Sequence, residues 1–173
     1  RWADFWSVGL QWDMKREGFF QNLDLLSQMK LRASTGTSGN YNIGNYNHQQ
    51  TYAFNAVYYN RNASYPAVPG NPGLTWEKVL QTSVALDFQL FNAYGLIVEL
   101  YHKMTTDMLS EVPYSYTSGF SSGWDNIGKM VNKGIEVTAD FELVRTRDLM
   151  VNLNANLAYN HNEILNLYCV ADE

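Results

Sequence analysis

Apolar and polar side chains alternate along most of this chain, and the alternation comes in long blocks. Over residues 80–90, Leu80, Val84, Leu86, Phe88 and Leu90 share one parity, broken only by Thr82. Gln81, Ser83, Asp87 and Gln89 share the other, with Ala85 among them. Side chains of a strand point alternately to its two faces, so the block predicts one strand with an apolar face and a polar face. At about 3.3 Å per residue it spans about 36 Å, or about 26 Å when tilted near 45°. That is long for a soluble strand and suits a membrane-crossing strand of a barrel.

The pattern recurs at residues 2–14, 28–37, 96–109, 129–144 and 149–163. The cleanest block sets Ile135, Val137, Ala139, Phe141 and Leu143 against Glu136, Thr138, Asp140 and Glu142. The last sets Leu149, Val151, Leu153, Ala155, Leu157 and Tyr159 against Asn152, Asn154, Asn156 and Asn160. Between the first two blocks, Phe19, Leu23 and Leu26 are spaced as on a helix. Residues 15–28 are therefore expected to form a short amphipathic helix or helical turn that packs as a connection.

Short turns at 92–95 and 145–148 alternate with long stretches rich in Gly, Asn, Ser and Pro at 38–73 and 110–127. Barrels of the outer membrane have this asymmetry, with short periplasmic turns and long extracellular loops. If both long loops lie on one side, 38–73 makes no net crossing. Its aromatic stretch at 51–59 (Tyr52, Phe54, Tyr58) is then a short extracellular strand or hairpin. The predicted class is all-β, an antiparallel up-and-down sheet forming part of a transmembrane β-barrel, with residues 1–173 as a single segment of wall. A soluble all-β carbohydrate-binding module is the alternative, because a sandwich also has one apolar and one polar face per sheet. Strand length, the loop asymmetry and aromatics near strand ends (Trp6, Trp12, Trp76, Phe91, Tyr94, Tyr159) favour the membrane.

Composition narrows the chemistry. The net charge of −5 argues against nucleic acid as a partner. Cys169 is the only cysteine, which leaves no intrachain disulfide and no zinc cluster. His48, His102 and His161 are scattered in sequence, so no metal site is expected. Gly36, Gly39 and Gly44 lack the strand-to-helix context of a phosphate loop. Asp87, Glu99, Glu136, Asp140 and Glu142 lie on polar faces and read as a solvated or plug-facing wall rather than a catalytic pair. A β-rich glycosidase would need two carboxylates facing across a cleft. Lys30, Arg32 and Lys103 share that face and are expected to neutralise part of the acidity. No catalytic residue and no cofactor is assigned.

Four stretches carry a family resemblance. MKLRASTGTSGNYNIGNY, NPGLTWEKVLQTSVALDFQLFN, YHKMTTDML with VPYSYTSGFSSGWDNIGKMVNKGIEVT, and NLNANLAYNHNEILNL follow one another in register. They resemble the corresponding motifs of SusC/RagA-type TonB-linked outer-membrane proteins. Thr35 stands where that pattern usually has an aromatic, and Gly73 where Asn is common. The resemblance implies a 22-stranded barrel with an N-terminal plug, sited in the outer membrane of Bacteroidetes-type bacteria. It implies uptake of oligosaccharides or peptides, a SusD-like surface lipoprotein as lid, and energy from TonB. No initiator Met, plug, TonB box or C-terminal barrel signal is recognised here, so an internal piece of the barrel is expected. Within it, Tyr114, Tyr116, Phe120 and Trp124 of the second long loop are the candidates for contact with ligand or lid. Their plainer role is to pack the loop itself.

Overall fold

The computed structural model describes residues 2–41 and 46–167; Gly44 and Cys169 lie outside the described residues. The strands are β1 (Ser7–Asp13), β2 (Leu26–Asn40), β3 (Thr51–Tyr58), β4 (Arg61–Val68), β5 (Glu77–Leu90), β6 (Tyr94–Thr106), β7 (Leu109–Pro113), β8 (Ser122–Asn126), β9 (Lys129–Arg145) and β10 (Met150–Asn166). Six of them form one antiparallel sheet in the order β1-β2-β5-β6-β9-β10. β2 and β5 pair from Leu26↔Leu90 to Asn40↔Glu77, so the excursion between them returns beside the strand it left. β3 and β4 form a separate hairpin within that excursion. The expected absence of a net crossing there is borne out.

The register joins the sequence blocks into continuous rungs. Trp12, Leu31, Leu86, Val98, Val137 and Leu157 make one rung, and Leu10, Ala33, Val84, Leu100, Ile135 and Tyr159 the next. Between them, on the opposite face, run Gln11, Arg32, Ala85, Glu99, Glu136 and Ala158. One face is therefore apolar across all six strands and the other mainly polar.

Among the described residues no second layer packs on the apolar face. Leu10, Leu100 and Leu157 are 72%, 53% and 70% exposed. Among the described residues the buried apolar side chains are Leu26, Leu74, Ala85, Val112 and Val131, too few and too dispersed for a core. A sandwich would bury such a face against a second sheet about 10 Å away. Leaving a large apolar side chain in water forgoes about 1.5–3 kcal/mol, so a face of this extent demands hydrocarbon. The outer edges of β1 and β10 are unpaired by any described strand, as they would be if neighbouring strands continue the wall.

Several boundaries differ from expectation. Residues 15–28 hold only a 3-10 turn, Met14–Arg16, and one helical turn, Gly18–Gln21. Lys15 Nζ donates to the carbonyls of Phe20, Gln21 and Leu23 at 3.1, 3.2 and 2.8 Å, ending the turn before the apolar spacing can be used. Leu26 belongs to β2 instead and is buried there. The turn after β5 falls at Phe91 and Asn92, both with positive φ (52° and 56°), and Gly95 sits within β6 opposite Asp140. Phe91 meets the edge of Tyr94 at 6.5 Å, and Tyr94 meets Phe141 at 6.1 Å, so an aromatic cluster secures this turn. Trp12 closes β1 with its indole Nε1–H donating to Glu17 at 3.0 Å. Tyr159, expected near a strand end, lies mid-strand in β10.

Candidate functional site at the long-loop end

The second long loop is not irregular. β6 and β9 pair as far as Thr106↔Lys129, where Asp107 (φ 55°) and Gly128 (φ 105°) bend the chain. Gly128 is needed there, since side chains disfavour that conformation. Met108 and Ile127 bridge the bend through Met108 N→Gly128 O (3.4 Å) and Ile127 N→Met108 O (2.9 Å). Pairing then resumes as β7–β8, from Leu109↔Asn126 to Pro113↔Ser122. The membrane hairpin thus continues outward as a bent aromatic hairpin.

What holds it is the segment just before β5. Asn71 donates its amide to the Trp124 carbonyl (3.1 Å) and to Asp125 (3.0 Å), while its own carbonyl oxygen accepts from Gly73 N–H (2.9 Å). Asn126 accepts from the Thr75 N–H (2.6 Å) and donates to the carbonyls of Thr75 (3.0 Å) and Asp107 (2.8 Å). Lys78 pairs with Asp107 at 3.0 Å. Leu74, at the centre of this return loop, is completely buried. Two asparagine side chains therefore act as clamps between stretches about fifty residues apart in sequence. The sequence reading missed both. Their signal was available, because short amides beside turns readily bond to backbone groups.

The four candidate aromatics are placed differently from one another. Tyr114 lies over Gly123, where an added Cβ would come within 2.8 Å of its hydroxyl. Phe120 and Trp124 are half-buried, and the Trp124 carbonyl is held by Asn71. Tyr116 is 95% exposed in a 3-10 turn, Tyr116–Ser118, at the hairpin tip. No two of the four are in ring contact.

The polar face carries its own network. Arg32 makes a two-pronged pair with Asp87, Nε at 2.9 Å and Nη2 at 2.8 Å. Ser34 and Ser83 hydroxyls bond across β2–β5 at 3.0 Å, and Asn162 donates to Asn132 across β9–β10. Glu99 faces Glu136 directly across β6–β9, two like charges on adjacent strands. Among the described residues no three His, Cys, Asp or Glu side chains gather in a way that would hold a metal ion. Two of the three histidines come together: His102 and His161 flank Lys133 in one rung of the apolar face.

Residues 1–170 match the family model described as TonB dependent receptor-like, beta-barrel. The chain belongs to this family. It is 34% identical over 173 residues to a TonB-dependent receptor of Formosa agariphila, covering 99% of the chain and 16% of that protein. It is 33% identical over 181 residues to the TonB-dependent receptor SusC of Bacteroides thetaiotaomicron, covering 96% and 18%. Among solved structures it superposes on the RagAB peptide importer in its closed-closed state with a TM-score of 0.87, at 36% identity, covering 96% of the chain and 18% of that one. The open-open state gives the same TM-score and identity, covering 97% and 18%. The chain thus spans about a sixth of the length of its relatives. As part of a TonB-dependent receptor barrel, its wall belongs to the outer membrane.

Proposed function

We propose that this segment is barrel wall in a non-enzymatic outer-membrane transporter that imports oligosaccharides or peptides, driven through TonB and lidded by a SusD-like lipoprotein. The whole of residues 1–173 is read as wall, with the plug and the energy-coupling parts supplied elsewhere in the full receptor. The observation that carries the reading is the pairing of an uncovered apolar face with a polar face that ends, on the long-loop side, in a clamped aromatic hairpin. An apolar face with no second layer disfavours the soluble carbohydrate-binding module.

Within the hairpin, Tyr116 is the foremost contact for lid or ligand, being fully presented at the tip. Phe120 and Trp124 are secondary contacts, and Tyr114 supports the hairpin by covering Gly123. The test is alanine replacement of Tyr116 and of Trp124 in the full receptor. Co-purification of the lid lipoprotein and affinity for oligosaccharide and peptide ligands are then measured. Weakened lid association or ligand binding is expected. Unchanged values for both variants would leave the hairpin as packing alone.

A further inference from the structure

Residues 2–6 reach β1 as a strap across the long-loop ends of β2 and β5. Trp6 ties it down through both backbone groups: its N–H donates to Thr37 Oγ1 at 3.1 Å, and its carbonyl accepts from the Thr37 N–H at 2.8 Å. One residue earlier, the Phe5 ring lies on Gly39, where any Cβ would run into it. The same ring meets Trp76 edge-on at 6.2 Å, and Tyr41 packs on that indole at 5.3 Å. Elsewhere the strap stands off, leaving a cavity of about 330 Å³ bounded by Thr37, Trp76 and Lys78. Among the described residues, the strap's ring contact with the return loop is therefore Phe5 on Trp76.

Trp76 is packed against a penalty. Its Nε1–H is buried and has no acceptor among the described residues, and a buried donor left unpaired opposes the state that buries it. Phe5 and Tyr41 keep the indole enclosed. Its backbone is the lever: the Thr75 carbonyl belongs to the rigid peptide plane that joins Thr75 to Trp76. Asn126 of β8 grips both that carbonyl and the Thr75 N–H. We infer that Phe5 is a positioning residue for the β7–β8 hairpin: seated on Gly39 against Trp76, it fixes the return loop from which that hairpin is held. Without the Phe5 ring, Trp76 relieves its unpaired donor by turning toward water, and Thr75 turns with it, loosening the grip of Asn126. The consequence for transport rests on the reading of this hairpin, with Tyr116 at its tip, as a contact for lid or ligand.

The test is amide hydrogen exchange, read by mass spectrometry, on the full-length receptor purified in detergent, with co-purification of the lid lipoprotein measured in parallel. Phe5→Ala should speed exchange over residues 109–126 by about fivefold or more while leaving β5 and β6 protected, and should weaken lid association. Trp76→Ala should act alike. Trp76→Phe, which keeps a ring for Phe5 and sheds the unpaired N–H, should stay near wild type. Gly39→Ala, which displaces the ring without altering it, should match Phe5→Ala; if that variant fails to insert, Phe5→Ala and the two Trp76 variants carry the test. Phe19→Ala, at the short-turn end, should change nothing in the hairpin. Faster exchange confined to 2–6 and 71–78, with 109–126 unchanged, overturns the positioning role, as does equal loosening by Trp76→Phe and Trp76→Ala. A hairpin loosened by Phe5→Ala with lid association and ligand affinity intact would support the positioning and overturn instead the reading of the hairpin as a contact.

Discussion

Thr35 and Thr82 face each other across β2 and β5 on the apolar side of the wall, their hydroxyl oxygens 3.0 Å apart. Each is an exception in sequence: Thr82 breaks an otherwise apolar run, and Thr35 replaces the usual aromatic of the motif. Together they remove each other's cost. Hydrocarbon offers no partner to a hydroxyl, so a lone threonine there would be penalised. Val8 lies opposite Thr35 and His102 opposite Thr82, so the pair sits at the edge of the apolar surface, in the rung that continues into His102, Lys133 and His161.

The pair should therefore behave as a unit. Thr35→Val or Thr82→Val alone should destabilise the folded barrel by about 1 kcal/mol, since the remaining hydroxyl keeps its desolvation cost. The double Val variant should recover most of the loss. Reversible denaturant unfolding of the full receptor in lipid vesicles, run as a double-mutant cycle, measures the coupling. Additive single effects would show that the hydroxyls act independently.

Gly134 should be intolerant of any side chain. A Cβ there would meet the Tyr159 carbonyl oxygen at 2.5 Å and the Tyr101 hydroxyl at 2.6 Å. Tyr101 lies directly opposite in the register, so the glycine makes room for its ring on the polar face. Gly134→Ala should cost about 1–3 kcal/mol and lower the amount of receptor reaching the outer membrane. Combining it with Tyr101→Ala should give only partial recovery, because the backbone oxygen remains in place. Heat-modifiability on gels and membrane yield of the three variants are the measurements.

Asn126 should matter more to the hairpin than to the barrel. It joins Thr75 and Asp107 through three hydrogen bonds, and none involves the six-stranded sheet's pairing. Asn126→Ala should release β7–β8 from the return loop at a cost of about 1–3 kcal/mol. Limited proteolysis of intact cells should then cut within 107–127 severalfold faster, while the receptor still inserts. Unchanged cleavage with Asn71→Ala added would mean that Leu74 burial and the Lys78–Asp107 pair hold the hairpin without the two amides.

The alternating blocks made the membrane strands legible because period-two patterning is forced wherever one face meets hydrocarbon and the other water. The rungs joining Leu31, Leu86, Val98, Val137 and Leu157 are that pattern laid side by side. Patterning was silent where strands are too short to show a period. The β7–β8 hairpin read as a loop because its strands, LSEVP and SGWDN, are five residues each and carry no period-two apolar run. The helix expected over 15–28 failed for the opposite reason: spacing suggested it, but Gly18 and the Lys15 contacts limit it to a single turn. Of the candidate site, the aromatics were legible by residue type. Their division into presented Tyr116 and packed Tyr114 depends on cross-strand neighbours that no local pattern reveals.

Glu99 and Glu136 give the sharpest test of what the polar face meets. Like charges placed directly opposite on adjacent strands are mutually destabilising, by about 0.2–1 kcal/mol. Arg32 shares their rung but is engaged with Asp87, so the pair has no cation bonded to it among the described residues. Glu136→Lys should convert the repulsion into attraction and raise barrel stability by about 0.5–1 kcal/mol in denaturant unfolding. If the pair also receives a basic surface of the plug, the same change should loosen plug packing. Faster proteolysis of the plug and greater passive uptake of a hydrophilic antibiotic would then accompany the more stable barrel. A stabilised barrel with an undisturbed plug would assign the pair to a water-filled stretch of the lumen, where its repulsion is tolerated because solvent screens it.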